Sequence, residues 1–338
     1  MNKAAVVGTT TWGTTLAILL AHKGVRVTLL ARSQEEADRL AKAGEHRVFL
    51  PGLPFPPSLT VAAIESCALE QEQPIVLVVP SASMRDNLRA LRGRLPSGAL
   101  LISASKGLEL GSGLRMSEVI AGELGQDLHP RLCALSGPNL AKEVAHGLPA
   151  VAVIASQDAE AAEEARELFM APTFRVYTNP DIIGVEMGGA LKNIIALGAG
   201  ICDGLGYGDN AKAALVTRGL AEITRLGVAL GARAATFAGL AGLGDLVTTC
   251  ASPLSRNHHV GEQLARGRAL GDILTSMVNV AEGVNTTRAA WEMARNLEID
   301  MPITEQMYLV LFQGKGPRQA VTELMLREAK SELETWEA

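Results

Sequence analysis

The feature that most limits what this chain can fold into is an alternation confined to its first half. Short runs that are apolar on both faces, at residues 4–7, 25–30, 75–79, 99–103 and 132–135, are separated by amphipathic segments of helical length. Strands covered by helices on both sides read this way, because neither face meets water. The intervening helices carry their own punctuation. Residues 14–23 stop at Gly24, placed as a C-cap; residues 33–43 open with Ser33 and Glu36 at capping-box spacing; residues 81–91 open with a serine after Pro80. Residues 150–155, 159–169 and 174–177 add a strand, a helix and a strand. Repeated strand, helix, strand means a doubly wound sheet. After about Asn179 helical periodicity dominates, over residues 181–201, 210–230, 260–266, 286–297 and 303–312. The expectation is an α/β domain at 1–179 followed by an all-α domain at 180–338, with Pro180 in the first turn of the next helix. A length of 338 residues, at about 150 per domain, agrees. Residues 51–57 (P-G-L-P-F-P-P) read as a rigid, polyproline-like surface loop.

Charge excludes some functions. With a net charge of −5 there is no global positive field to draw in nucleic acid or an anionic membrane, so an anionic ligand has to be met by local cations. Cys67, Cys133, Cys202 and Cys250 form no C-x-x-C pair, which fits a reducing cytosol better than a zinc site or a disulfide framework. Residues 4–21 are uncharged, yet five threonines, two glycines and a tryptophan interrupt them and no small-x-small cleavage site follows, so they do not read as a signal sequence. No stretch is expected to supply the ~18 to 20 apolar residues of a membrane helix; residues 48–64 lack charge but hold four prolines. Glycine is over-represented, 34 residues against a usual ~7%, which suggests close backbone packing and ligand loops.

The first strand runs into Gly8-Thr9-Thr10-Thr11-Trp12-Gly13, at the start of a helix. Backbone N–H groups and the helix dipole at such a junction can hold a pyrophosphate, although a turn with no ligand stays open as a reading. The usual G-x-G-x-x-G has a glycine where this chain has Thr10. A side chain at Thr10 would crowd the pyrophosphate, and a positive φ forced on it would cost about 1 to 2 kcal/mol, which together are the main support for a scaffold or cofactor sensor without catalysis. Arg32 and Ser33 follow the second strand and suit a 2′-phosphate, where an acidic residue would suit a ribose hydroxyl; a solvated arginine is the plain alternative. Lys192 lies in a glycine- and alanine-rich helical stretch where a buried ammonium needs a partner. Lys106 emerges at the carboxyl edge of the 99–103 strand, and Gly137 and Asn139 occupy another strand-to-helix turn. Asp245, taken alone, reads as a helix N-cap. His258 and His259 diverge by ~100° on a helix and have no carboxylate at ligand spacing, so no metal is expected.

Six ordered segments carry a resemblance spanning nearly the whole chain. They are Gly8 with Trp12-Gly13 and Leu16-Ala17; Ser105-Lys106-Gly107-Leu108-Glu109; Ser136-Gly137-Pro138-Asn139-Leu140-Ala141-Lys142-Glu143; Gly188-Gly189-Ala190-Leu191-Lys192-Asn193; Gly242-Leu243-Gly244-Asp245-Leu246-Val247-Thr248-Thr249-Cys250; and Ser255-Arg256-Asn257 followed by Ala281-Glu282-Gly283. In this order they resemble the bacterial-type NAD(P)-dependent glycerol-3-phosphate dehydrogenases. The resemblance implies a Rossmann-type first domain and a cytoplasmic oxidoreductase that uses NADP(H), NAD(H) or both. It implies reversible conversion of dihydroxyacetone phosphate to sn-glycerol 3-phosphate for glycerophospholipid synthesis. Lys192 would be the proton donor and acceptor at the carbon-2 oxygen, its pKa brought down by burial and nearby cations, with Asp245 opposing that shift. Lys106, Gly137, Asn139, Lys192, Asp245, Ser255, Arg256 and Asn257 would meet the substrate, the last three clamping its phosphate with Arg256 as the planar fork. Gly8, Thr11, Trp12, Gly13, Arg32, Lys106, Ala141, Arg256, Val280 and Glu282 would meet the cofactor. The family commonly has threonine or serine where this chain has Asn139. A related two-domain dehydrogenase of another hydroxy acid or phosphorylated substrate is the nearest alternative. The cofactor ratio and the oligomeric state, a homodimer among the options, stay open.

Overall fold

The computed structural model describes residues 2–69, 74–96, 98–124, 131–278, 280–329 and 331. The chain divides into two compact units, one comprising Met1–Ser105 and Met116–Ile182, the other Lys106–Arg115 and Ile183–Ala338.

The first unit is an eight-stranded sheet of β1 (Lys3–Val7), β2 (Arg26–Ala31), β3 (Leu59–Ala63), β4 (Ile75–Leu77), β5 (Leu101–Ser103), β6 (Leu132–Ser136), β7 (Ala150–Ala155) and β8 (Phe174–Asn179). Their order is β3-β2-β1-β4-β5-β6-β7-β8. Helices α1 (Thr11–His22), α2 (Gln34–Ala43), α3 (Met84–Leu91), α4 (Met116–Leu124), α5 (Ala141–Ala145) and α6 (Ala159–Phe169) interleave with the strands. All pairings are parallel except β6 with β7, so β7 and β8 run against the other six strands. The doubly wound expectation is met because Val6, Leu29, Val76 and Ile102 are sealed from solvent along with Leu16, Leu20, Phe169 and Phe174 from the elements around them. Each such side chain contributes ~1.5 to 3 kcal/mol on burial. Val7 pairs with Leu30 on one side and Leu77 on the other, which aligns the carboxyl ends of β1, β2 and β4. Residues 4–21, read above for a signal sequence, are most of β1 and of α1.

Several local expectations need correction. Helix α1 begins at Thr11, three residues before the expected 14, and Lys23 is its cap, with Gly24 following at φ +91°. Residues 51–57 are not a polyproline rod: Gly52 turns the chain at φ +80°, Pro54 bridges to Glu45, and Leu53 and Phe55 lean on the core. Strand β3 follows directly, and the sequence reading did not anticipate it. Pro180 lies ahead of the next helix, α7 (Ile182–Leu205), and the Asp181 N–H donates to Asn179 Oδ1 at 2.9 Å across the junction.

The second unit is helical: α7, α8 (Gly208–Ala229), α9 (Ala234–Phe237), a π-helical turn at Leu240–Gly244, α10 (Asp245–Ala251), α11 (Arg256–Ala265), α12 (Leu270–Ser276), α13 (Glu282–Asn296), α14 (Pro302–Phe312) and α15 (Pro317–Met325). Its core packs Met187, Leu191 and Ile194 of α7 with Phe237, Leu246 and Val260. Contrary to the sequence expectation, Ile182–Leu205 and Ala234–Ala251 are long and apolar enough to cross a membrane by length and composition; the first is 89% buried and serves as a core helix. Lys106–Arg115, inserted from the middle of the first unit, joins this core through Leu108 and through an ion pair of Arg115 Nη1 with Glu186 Oε2 at 2.8 Å.

The glycine excess finds its purpose where α7 crosses α11. A Cβ on Gly200 would overlap the His258 carbonyl, and one on Gly261 would overlap the Leu197 carbonyl, so the two helices touch backbone to backbone. Only glycine on both sides allows that approach. Residues 192 and 193 are thereby fixed beside the start of α11.

Candidate active site

In the first unit the β1–α1 turn is shaped by two glycines. Gly8 adopts φ +109°, and a Cβ there would lie 2.6 Å from the Val78 carbonyl oxygen; a Cβ on Gly13 would overlap the Gly8 carbonyl. Thr10 does not take the positive φ expected of it. At φ −62° and ψ 166° it is the N-cap of α1, its Oγ1 accepting from the Gly13 N–H at 3.0 Å and donating to the Val78 carbonyl at 2.9 Å. A threonine caps a helix well, so the strain that favoured a non-catalytic reading is absent. Thr11 and Trp12 form the first turn of α1, which carries no acidic residue of its own against the positive end of the helix dipole. Trp12 lies tilted against Phe174 at 6.5 Å, and its indole Nε1 is buried without a hydrogen-bond partner. These features fit a dinucleotide pyrophosphate. Arg32 is exposed immediately after β2, and Ser33 caps α2 through the Glu36 N–H at 3.3 Å.

The β6–α5 link gathers Gly137, Asn139 and Ala141. Gly137 sits at φ +123°, with Val151 so near that a Cβ would be 3.0 Å from its carbonyl oxygen. Asn139 Nδ2 donates to that same carbonyl at 2.9 Å, leaving Oδ1 buried and without a partner. A buried amide oxygen with no donor suits a hydroxyl-bearing ligand. Ala141 opens α5, and its carbonyl accepts from Thr15 Oγ1 of α1 at 3.1 Å.

In the second unit Lys106, Lys192 and Asp245 meet. Asp245 Oδ2 pairs with Lys106 Nζ at 2.7 Å, Asp245 Oδ1 pairs with Lys192 Nζ, and Lys192 Nζ also donates to Thr249 Oγ1 at 2.8 Å. Thr249 Oγ1 donates in turn to the Asp245 carbonyl at 2.6 Å. Asp245 is not a helix cap, as it would be if taken alone. It is the first residue of α10, 1% exposed, and the π-helical turn before it aims its carboxylate at the two lysines. Burial pushes the Lys192 ammonium down to about 8; the Asp245 carboxylate resists that fall and the Lys106 charge adds to it. A lysine in that range exchanges protons near neutral pH.

The three residues expected to clamp phosphate are placed unequally. Ser255 is the N-cap of α11, its Oγ accepting from the His258 N–H at 3.2 Å, so its hydroxyl proton is still available to a ligand. Arg256 follows, exposed, with the Glu282 charge acting on it. Asn257 is engaged on both sides of its amide: Nδ2 donates to Asn193 Oδ1 at 2.8 Å, and Oδ1 accepts from the Gly283 N–H at 2.9 Å. One N–H of Asn257 remains beyond those bonds. Glu282 opens α13, and Val280 just before it is exposed. Sequence reasoning missed Asn193 and Thr249 as functional groups, although both stood within its quoted motifs. The available signal was spacing, since Asp245 and Thr249 are four apart on one helix face.

Comparison with known proteins places this geometry among relatives. A family model described as the N-terminus of NAD-dependent glycerol-3-phosphate dehydrogenase matches residues 3–162, and its C-terminal counterpart matches residues 181–322. A Dehalococcoides mccartyi (strain 195) protein named glycerol-3-phosphate dehydrogenase [NAD(P)+] is 52% identical over 98% of this chain and 93% of its own length. The Moorella thermoacetica protein of the same name is 50% identical over 98% of each. A crystal structure of glycerol-3-phosphate dehydrogenase from Coxiella burnetii superposes with a TM-score of 0.90 at 37% identity, covering 96% of this chain and 99% of that one.

Proposed function

Because the chain belongs to the NAD-dependent glycerol-3-phosphate dehydrogenase family in both its halves, we propose that it interconverts dihydroxyacetone phosphate and sn-glycerol 3-phosphate, with Lys192 moving the proton. The dinucleotide falls to the sheet unit, through Gly8, Thr11, Trp12, Gly13, Arg32 and Ala141, with Lys106, Arg256, Val280 and Glu282 as further contacts. The helical unit provides proton transfer and phosphate binding. When bound, the nicotinamide supplies the hydride in one direction and accepts it in the other. Lys192 donates its proton to the carbon-2 oxygen during reduction and takes it back during oxidation. Asp245 holds the ammonium in place, and Lys106 adds positive charge where negative charge develops on that oxygen. Arg256 presents its planar fork to the phosphate, seconded by Ser255 and the remaining Asn257 N–H. Gly137 and Asn139 meet the hydroxyl end of the substrate. The cytoplasm is the compartment, and glycerophospholipid synthesis consumes the product.

The observation that carries this reading is the buried Lys192–Asp245–Lys106 cluster, in which burial tunes one lysine while a shared carboxylate positions it. Initial rates with dihydroxyacetone phosphate and each of NADH and NADPH test it. The wild-type chain oxidises at least one of them, and Lys192→Ala turns over ~10²- to 10⁴-fold more slowly while still binding cofactor. A wild-type chain that oxidises neither overturns the reading.

A further inference from the structure

The first turn of α2 breaks a local rule. Ser33 and Glu36 have capping-box spacing, and Ser33 takes the Glu36 N–H as such a box requires, yet the Glu36 carboxylate does not return to the Ser33 backbone. Instead Oε1 accepts from Thr9 Oγ1 at 2.7 Å, and Oε2 accepts from the Arg32 N–H at 3.3 Å. Thr9 lies in the β1–α1 turn and Arg32 directly follows β2, so a carboxylate from α2 is drawn to the carboxyl ends of both strands. Little neutralises it there. Arg39 approaches only to 3.9 Å with an exposed side chain, and burial pushes the His46 imidazole below its ordinary range.

Doubly wound sheets read the adenosine ribose at the end of their second strand, where a carboxylate accepts from a free 2′-hydroxyl and an arginine pairs with a 2′-phosphate. This chain has Arg32 in sequence at that point and Glu36 in space. We propose that Glu36, steered by the Thr9 hydroxyl, is a specificity-determining residue that favours the unphosphorylated ribose of NADH and repels the 2′-phosphate of NADPH against the pull of Arg32. The inference rests on the assignment of the β1–α1 turn to the dinucleotide.

Equilibrium binding to the full chain tests it. Dissociation constants for NADH and NADPH are measured by nicotinamide fluorescence, with adenosine 2′,5′-bisphosphate titrated by calorimetry as a probe of the 2′-phosphate alone. In Glu36→Gln, whose amide oxygen still accepts from Thr9, the Kd ratio moves toward NADPH by about tenfold or more, and the bisphosphate tightens in step. Thr9→Val, which frees the carboxylate from its hydroxyl partner, moves the ratio the same way by less. An unchanged ratio in Glu36→Gln overturns the proposal, as does equal weakening of both cofactors, which makes Glu36 a support of the turn and nothing more. Wild-type protein that binds neither cofactor overturns the dinucleotide assignment itself, an outcome distinct from both. Equal melting temperatures of wild type and Glu36→Gln show that the ratio reports recognition and not loss of fold.

Discussion

Both regions assigned to anionic ligands solve the same problem, in opposite ways. The β1–α1 turn offers backbone N–H groups and a helix end, with no formal charge on its own residues, and glycine shape is its main requirement. The Lys192 cluster offers two cations and one anion, with Lys192 and Asp245 withdrawn from water. The first arrangement tolerates a side chain at Thr10, because what matters is where the backbone points. The second tolerates little, since a buried charge left without its partner is costly.

The most severe way to probe the difference is Lys192→Ala, for which the proposed proton-transfer role predicts a ~10²- to 10⁴-fold fall in kcat. Asp245→Asn follows. It leaves two lysines facing each other without their carboxylate, which costs about 3 to 5 kcal/mol of stability in chemical denaturation. It also moves the pH profile. With Lys192 in the proposed role, oxidation of glycerol 3-phosphate uses its neutral amine and is expected to rise with pH through about 8, whereas reduction uses the ammonium and is expected to fall over the same range. Removing Asp245, whose charge raises the Lys192 pKa, shifts both limbs to lower pH. Profiles that stay in place, measured by initial rates in both directions, break the assignment of Lys192 as the titrating group.

Glu222 is an intermediate case that sharpens the comparison: a buried carboxylate hydrogen-bonded by neutral donors, with the Arg225 charge also acting on it. It accepts from the Ile303 N–H at 2.6 Å, and from the Thr304 N–H and hydroxyl at 3.1 Å each. Burial raises its pKa to about 7 against these hydrogen bonds. A folded-state pKa above the unfolded value stabilises fully below the unfolded range, and the stabilisation is lost as pH rises through the folded value. Wild-type stability should therefore decline between about pH 4.5 and 7 by more than that of Glu222→Gln, with the two curves compared by urea melts across that window. Parallel curves would show that the group does not titrate on folding. The smallest effect belongs to the uncharged turn. Thr10→Ala removes the cap of α1 and costs ~1 kcal/mol, while Thr10→Gly costs only a few tenths. A loss as large as that of Asp245→Asn would mean that the turn is not the tolerant partner of the pair.

What could be read from the sequence follows the same division. The sheet was legible because β1, β4 and β5 are apolar on both faces, and composition announces that directly. The reversal at β7 was not, since periodicity carries no direction, and β3 was hidden behind four prolines. The excursion of Lys106–Arg115 into the helical unit was equally invisible, for it shows only in tertiary contacts: the burial of Leu108, the Arg115–Glu186 pair and the Lys106–Asp245 pair. At the active site, charged residues were picked out because an unpartnered charge has few destinations. Asn193 and Thr249 escaped because a neutral polar side chain has many. Asn257 was read as a free donor to phosphate, and in the fold most of its capacity is committed to Asn193 and Gly283.

The backbone contact between α7 and α11 has a consequence for measurement. Side-chain packing can creep by fractions of an ångström as rotamers adjust, but two main chains pressed together by Gly200 and Gly261 have nothing soft between them. Lys192 rides on one of these helices and Arg256 opens the other. The interval between the Lys192 ammonium and the exposed guanidinium's helix is therefore set as on a calliper with its screw tightened, and a ligand that touches both is gauged by its length.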